Sequence, residues 1–161
     1  MTAFTTADLC DGHQGQVQVC ATQFRSFGLK RAFCGEIATV RTYQDAGLVR
    51  QVVQTSGNGR ILVIDNGLST QAAVFGDRLA ALAVRNGWEG VVVFGAIRDT
   101  EALSTIDLGI VATAVTPRRG TLNGAGQIGI TIEQDGAIFR PGAFLYCDAD
   151  GVIVSNTPLA A

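Results

Sequence analysis

The sequence predicts a mixed α/β domain with a parallel centre and antiparallel C-terminal strands, and three observations carry that expectation. Residues 60–65 and 90–95 are short, unbroken apolar runs rich in valine and isoleucine, the pattern of strands buried on both faces. Apolar residues then return at helical spacing between these runs, and strand–helix–strand order implies right-handed parallel crossovers. From Gln127 onward apolar and polar residues alternate around an Asp135-Gly136 turn, the signature of an antiparallel hairpin.

Taken in order, residues 6–11 can open a short helix capped by Thr5 or Thr6. Residues 33–43 are enriched in β-branched and aromatic side chains and read as a strand. Asp45 is placed to cap a helix through Leu48, Val49, Val52 and Val53, which the glycine-rich stretch 56–59 stops. Strand 60–65 runs into a turn at Asn66-Gly67. Leu79, Leu82, Ala83 and Asn86 mark the next helix, closed by Gly87. After strand 90–95, residues 101–106 suit a short helix and 110–115 a third buried strand. Residues 127–133 read as one alternating strand, followed by 137–139, 144–146 and 151–154. No linker, repeat or low-complexity block interrupts residues 1–161, which read as a single domain.

Composition narrows the function classes. With 47% apolar and 16% charged residues, the chain has the means to build a core and is not a disordered segment. Twelve basic and fourteen acidic residues give a formal charge of −2, which argues against direct nucleic-acid binding. No apolar run reaches the roughly 18 residues of a membrane span. The first eight residues lack the basic end and apolar stretch of a secretion signal, so a cytoplasmic location is expected. Cys10, Cys20, Cys34 and Cys147 form no Cys-x-x-Cys pair and read as small apolar residues in a reducing compartment. His13 is the only histidine, which leaves no histidine pair for a metal, and it reads as a polar residue near a helix end.

Gly124-Ala125-Gly126-Gln127-Ile128-Gly129 satisfies G-x-G-x-x-G. A dinucleotide site needs a strand before that motif and a helix after it. Here a polar loop precedes and an alternating strand follows, so the motif reads as a glycine-rich loop. Arg118-Arg119 nearby is too short a basic cluster to signal RNA binding. The stronger constellation lies beyond the two buried strands, where open α/β sheets place ligands. Gly76-Asp77-Arg78-Leu79 opens a helix, whose free N–H groups and dipole suit a carboxylate. Arg98 can grip a carboxylate at two points, and Asp99 can hold a hard divalent ion that takes its other ligands from water and substrate. The same residues would also serve as a solvated loop and a helix-start acid.

Asp77, twenty intervening residues, and then Arg98-Asp99 resemble the D-x20-R-D motif of the RraA-like family, which includes regulators of ribonuclease activity and class II 4-hydroxy-4-methyl-2-oxoglutarate aldolases. The resemblance runs almost end to end. It includes Thr6-Ala7-Asp8-Leu9-Cys10-Asp11, Phe24-Arg25-Ser26-Phe27-Gly28, residues 76–83, Asn86-Gly87-Trp88-Glu89-Gly90, Ile106-Asp107-Leu108-Gly109 and Asp150-Gly151-Val152-Ile153-Val154. It implies a layered β/β/α swivelling-type domain and a ring-shaped homotrimer. Carried over by position, substrate would meet Gly76, Asp77, Arg78, Leu79 and Arg98, with Asp77 and Arg98 as the catalytic pair and Asp99 as the ligand of Mg²⁺ or Mn²⁺. The implied activity is a metal-dependent lyase on small 2-keto acids, oxaloacetate decarboxylase foremost and 4-hydroxy-4-methyl-2-oxoglutarate aldolase next. The alternative is a regulator that binds RNase E without catalysis. No S-adenosylmethionine loop follows a first strand, which argues against methyl transfer. Two departures stand out. The family's D-G-G-G-S turn is Asp65-Asn66-Gly67-Leu68-Ser69 here, and the sequence ends at Ala161 without the C-terminal extension of the larger aldolases. The second departure leads us to expect decarboxylation more than aldol cleavage.

Overall fold

In the computed structural model, which describes residues 3–161, four strands lie side by side and parallel: β3 (Phe33–Arg41), β4 (Ile61–Asp65), β5 (Gly90–Ile97) and β6 (Gly109–Val115). They are joined by α2 (Gly47–Val53), α3 (Asp77–Arg85) and α4 (Thr100–Leu103). The continuous apolar runs exist because both faces are covered. Leu62, Ile64, Val91 and Val93 pack with Val49, Val52, Val53, Ala80 and Ala83 of the helices. Ile61, Val63, Val92 and Phe94, one residue out of step, face a second β layer, as a period of two requires.

That second layer is antiparallel. β10 (Phe144–Asp148) and β11 (Gly151–Ser155) form a hairpin, with β1 (Val17–Cys20) on the outer edge of β11. β3 belongs to both layers: Phe33 to Glu36 pair with β10, and Ile37 to Arg41 pair with β4. The small hairpin of β8 (Ile132–Gln134) and β9 (Ala137–Phe139) contributes Ile132 and Phe139 to the space between the layers. The helices α2, α3 and α4 occupy the other side, so the order is β/β/α, with a mixed main sheet whose centre is parallel. The first helix, α1 (Thr6–Gly12), lies outside this stack, where Leu9 packs on Tyr146 and Ile153. Asp148 ties its start down, accepting from the Thr6 N–H and hydroxyl at 2.7 and 2.6 Å.

Phe33 anchors the joint between layers. It is fully buried, and its ring lies where Gly90 and Gly109 leave out a Cβ. Phe33→Ala is expected to cost about 3–5 kcal/mol through lost burial and a cavity. Denaturant unfolding checks this, and a loss below about 1 kcal/mol would contradict the assigned packing.

Several sequence expectations change in the structure. The strand expected over 127–133 is two pieces: β7 (Gln127–Ile128) pairs with β3, whereas β8 pairs with β9. The break falls at Gly129, whose φ of +76° turns the chain and whose N–H bonds the Thr39 carbonyl. The helix expected over 101–106 is the single turn of α4. The strand expected to reach Tyr43 stops at Arg41. Neither β1 nor the two-residue β2 (Arg25–Ser26), antiparallel to β6, was expected from sequence. No helix among the described residues is long and apolar enough to cross a membrane.

Candidate functional site at the ends of the parallel strands

Beyond the C-terminal ends of β4 and β5 lies a cleft of ≈ 760 Å³, walled by α2, α3 and the loop after β6. All six residues singled out from sequence, Gly76, Asp77, Arg78, Leu79, Arg98 and Asp99, line it. Three local features bring them together. Residues 72–75 run beside the end of β5: Ala73 bridges Ala96, and the Arg98 N–H bonds the Phe75 carbonyl at 3.0 Å. A bulge in β5 between Val93 and Ala96 shifts its register against β6, with the Gly95 N–H donating to the Thr113 hydroxyl at 2.8 Å. Bulges of this kind bend a strand and re-aim the side chains at its end. Lastly, Asp99 adopts a left-handed backbone, φ 64° and ψ 38°, a conformation that aspartate tolerates better than most residues.

That turn carries the Asp99 side chain back to α3. Its Oδ2 accepts from the Asp77 N–H at 3.1 Å and lies 3.8 Å from Arg98 Nε. The first amide of α3 is therefore bonded to Asp99, and the next amides of that turn remain at the open helix end. Oδ1 of Asp99 has no hydrogen-bond partner among the described residues. Gly76 matters for the close approach. A Cβ built there would lie 2.5 Å from Asp99 Oδ2.

The glycine-poor turn after β4 is rebuilt around Asn66. Its side chain is fully buried, accepts from the Gln44 N–H at 2.7 Å and donates to the Ala72 carbonyl at 3.1 Å. The amide thus fixes the start of the segment that leads to Gly76. Asn66 also occupies the space beside Gly95, where an added Cβ would fall 2.7 Å from its own Cβ. Leu68 takes a positive φ of 57°, a position at which glycine would be unstrained.

Asp45 buttresses the opposite wall. It is 2% exposed and sits one residue before the α2 cap Ala46, not at the cap itself. Its carboxylate accepts from the Gly47, Asn123 and Gly124 N–H groups at 2.9, 2.7 and 3.0 Å and from the Thr121 hydroxyl. Burial pushes its pKa up, but these bonds, Thr121's foremost, outweigh burial and hold it below the usual aspartate value. A depressed folded-state pKa adds stability above the unfolded value, and that stability is lost as pH falls through the folded one. Asp45→Asn is therefore expected to cost about 2 kcal/mol at pH 7 and progressively less in acid. Urea unfolding at pH 7 and pH 3 checks this; an equal cost at both would contradict it.

Sequence reasoning missed the other cations of the cleft: Arg50 and Arg85 on α2 and α3, and Arg119 on the loop after β6. One signal was available. Arg78, Leu82 and Arg85 stand at helical spacings of four and three, as do Arg50 and Gln54 at four, so each set shares a face. Elsewhere, His13 bonds the Ala160 carbonyl through Nε2 at 2.7 Å, far from the cleft lining. Lys30, the sole lysine, pairs with Glu89 at 3.0 Å beside the N-terminal end of β6, the opposite end of the sheet. The G-x-G-x-x-G loop is held against Asp45 and Arg41 and leads into β7, not into a helix.

Residues 6–154 match the RraA-like family, described as Aldolase/RraA. A relative from Laribacter hongkongensis (strain HLHK9), provisionally named a 4-hydroxy-4-methyl-2-oxoglutarate aldolase, is 47% identical across 97% of this chain and 98% of its own. Two solved structures share the fold closely. One, titled S-adenosylmethionine: 2-dimethylmenaquinone methyltransferase from Geobacillus kaustophilus HTA426, has a TM-score of 0.94 and 40% identity over 96% of each chain. The other, titled the RNA-processing inhibitor RraA from Thermus thermophilis, has a TM-score of 0.93 and 37% identity over 100% of this chain and 97% of its own. From the sequence motif through the layered fold to these matches, the chain belongs to the RraA-like family.

Proposed function

We propose that the chain is a cytoplasmic, divalent-metal-dependent lyase of small 2-oxo acids, with oxaloacetate decarboxylation its first activity and 4-hydroxy-4-methyl-2-oxoglutarate cleavage its second. One observation carries the reading: the open end of α3, Arg98 and Asp99 converge in one cleft. The aldolase name of the 47% identical relative supports it.

The donor set fits a hard divalent cation of the Mg²⁺ type. No group of three potential metal-ligating side chains exists among the described residues, so a closed protein cage is not the arrangement. Mg²⁺ and Mn²⁺ favour oxygen ligands, and Mg²⁺ commonly takes one or two carboxylates and fills the rest from water and substrate. Asp99, with Oδ1 unengaged, would hold such an ion. Bound there, the cation supplies Lewis acidity toward the 2-oxo acid.

The chain's own residues do the rest. The amides of α3's first turn bind the carboxylate beside the oxo group, where the helix dipole favours negative charge. Arg98, its backbone fixed by Phe75, orients the substrate and offsets charge that develops on the oxo oxygen as the carbon–carbon bond breaks. Asp77, in the first turn of α3, supports Arg98 or a nearby water. Schiff-base chemistry does not suit this cleft, because Lys30 lies at the far end of the sheet.

The same reading includes a homotrimer. Tyr43, Leu68 and Ile128 are 65%, 48% and 46% exposed and belong to the segments after β3, after β4 and in β7. Apolar groups of this size on one end of a sheet gain by being covered. A sedimentation experiment at micromolar concentration that found only the 16.8 kDa species would remove the trimer.

The name of the Thermus relative, an RNA-processing inhibitor, favours a second reading, a regulator of RNA processing without catalysis, for which the partner we propose is RNase E. One pair of assays separates the two. Purified chain is given oxaloacetate, or 4-hydroxy-4-methyl-2-oxoglutarate, with Mg²⁺, and pyruvate is measured; immobilised chain is offered RNase E. Pyruvate above the metal-only blank supports the lyase. Saturable RNase E binding with no excess pyruvate supports the regulator instead.

A further inference from the structure

The two halves of the site stand on separate stretches of chain, and one buried side chain touches the start of both. Asn66 is fully buried and does not line the cleft. Its Oδ1 accepts from the Gln44 N–H and its Nδ2 donates to the Ala72 carbonyl. Its backbone is pinned as well: the N–H donates to the Phe94 carbonyl at 2.9 Å, and the carbonyl accepts from the Ser69 N–H at 3.0 Å. The side chain fills the room that Gly95 leaves in the bulge of β5, where an added Cβ would fall 2.9 Å from Nδ2. The same amide therefore meets the turn after β3, the segment that leads to α3, and β5.

The last two contacts lie at the base of a short ladder. From Ala73 onward the segment to α3 runs beside the end of β5: the Val74 N–H bonds the Ala96 carbonyl at 3.1 Å, and the Arg98 N–H bonds the Phe75 carbonyl at 3.0 Å. One arm of this ladder carries Gly76 and Asp77, and the other carries Arg98 and Asp99. The arms meet again where the Asp77 N–H bonds Asp99 Oδ2. Ala72 and Gly95 each stand one residue before the first rung, Ala73 and Ala96, so Asn66 sits where both arms begin. A strand rises about 3.3 Å per residue, so three residues of arm reach about 10 Å, and a tilt of about 6° at the base moves the tip by about 1 Å. Gln44 ties the same point to the opposite wall. Its carbonyl accepts from the Thr121 N–H at 2.9 Å, and its Nε2 donates to the Ser69 hydroxyl at 2.9 Å.

We infer that Asn66 is a positioning residue that sets the arm bearing Gly76 and Asp77 against the arm bearing Arg98 and Asp99. It acts through Ala72 and Gly95. The inference rests on the lyase reading for the chemistry that the two arms perform, and it adds the residue that holds them in register. A buried amide bonded at both ends specifies one geometry. A side chain of the same shape without polar atoms leaves the Gln44 N–H and the Ala72 carbonyl unpaired, with no room for a water to bridge them. The base of the ladder then has to shift, and both arms shift with it.

The test compares wild type with Asn66→Leu and Asn66→Asp, and uses Phe33→Ala as a control for stability lost at the opposite end of the sheet. Amide hydrogen exchange reads the geometry without recourse to activity. In Asn66→Leu the Asp77, Gly95 and Arg98 amides are expected to exchange roughly tenfold faster or more. The Glu89 and Gly109 amides, bonded to the Arg60 and Glu89 carbonyls at the other ends of the strands, are expected to keep their rates. Asn66→Asp retains the acceptor for Gln44 and loses the donor to Ala72, so it is expected to show a smaller version of the same pattern, and it serves if Asn66→Leu does not fold. Oxaloacetate turnover reads the consequence. In Asn66→Leu kcat is expected to fall about a hundredfold, the scale of a 1 Å misplacement, with a much smaller change in KM, whereas folded Phe33→Ala keeps a near wild-type kcat. Faster exchange confined to Gln44 or to one arm overturns the inference, as does a wild-type kcat in a variant whose arms have loosened. Failure of both Asn66 variants to fold overturns it too, because Asn66 then supports the whole domain. If both arms loosen while wild type turns over oxaloacetate no faster than the metal-only blank, the positioning of the arms stands and the lyase reading fails. Turnover by wild type with unaltered exchange at both arms in the variants overturns the inference alone.

Discussion

Asp99→Asn is expected to lower oxaloacetate turnover by about two to three orders of magnitude, the scale on which removing one charge-stabilising group acts, while the fold survives. The substitution keeps the shape and removes the charge that would hold a divalent cation. Asparagine also tolerates the left-handed backbone of residue 99, φ 64°, and its amide oxygen can still accept from the Asp77 N–H. Melting temperature should therefore change little. Turnover measured across a Mg²⁺ titration checks both halves. Near-normal turnover in a well-folded variant would remove the metal assignment. Equal collapse of turnover and melting temperature would show instead that Asp99 chiefly holds α3 and the β5 loop together.

Gly76→Ala is expected to be nearly as damaging by a different route. A Cβ at residue 76 would meet Asp99 Oδ2 at 2.5 Å and Arg98 Cγ at 3.4 Å. The neighbours must move, and the carboxylate is the group that can. The backbone is extended there, φ −157° and ψ −164°, so alanine adds no left-handed strain, and stability should fall by less than about 1 kcal/mol. A displacement of about 1 Å at a reacting centre costs on the order of 10²-fold in rate. The expected outcome is therefore a hundredfold fall in kcat with a higher Mg²⁺ requirement and a nearly native melting curve. An alanine variant with wild-type kcat and metal dependence would show that the contact between Gly76 and Asp99 does not shape the working site.

The parallel centre and the Asp77, Arg98 and Asp99 constellation were legible in the sequence for the same reason. Strands buried on both faces leave continuous apolar runs, and the polar residues just beyond Ile97 must then lie at their C-terminal ends. The alternation of Ile61 and Val63 against Leu62 and Ile64, toward opposite layers, is invisible in such runs because every position is apolar. Residues 127–133 misled for the opposite reason. Their alternation is real, but Ile128 is 46% exposed on β7 and Ile132 is fully buried between the layers. Only the turn at Gly129 separates the two roles. β1 and β2 escaped notice because each is short and mostly exposed, held by pairing with residues more than eighty positions away. The same holds for Arg50 and Arg119. Helical spacing sets Arg50 on one face with Gln54, but nothing local says that this face borders the cleft; Asp45, Ala46 and Ala73 place both arginines there through bonds to residues 118–124. Asn66 is intermediate. The sequence showed that it replaces a turn glycine, and the structure shows that its amide, bonded to Gln44 and Ala72, supports the segment leading to Gly76.

The most direct measurement is pyruvate release from oxaloacetate by the wild-type chain, stripped with chelator and then resupplied with Mg²⁺ or Mn²⁺, against a blank holding the same metal without protein. The expected result is a rate well above the blank with metal, a fall to the background rate in chelator, and recovery on resupply. A rate that never exceeds the metal-only blank would contradict metal-assisted lyase chemistry at the Arg98 and Asp99 cleft.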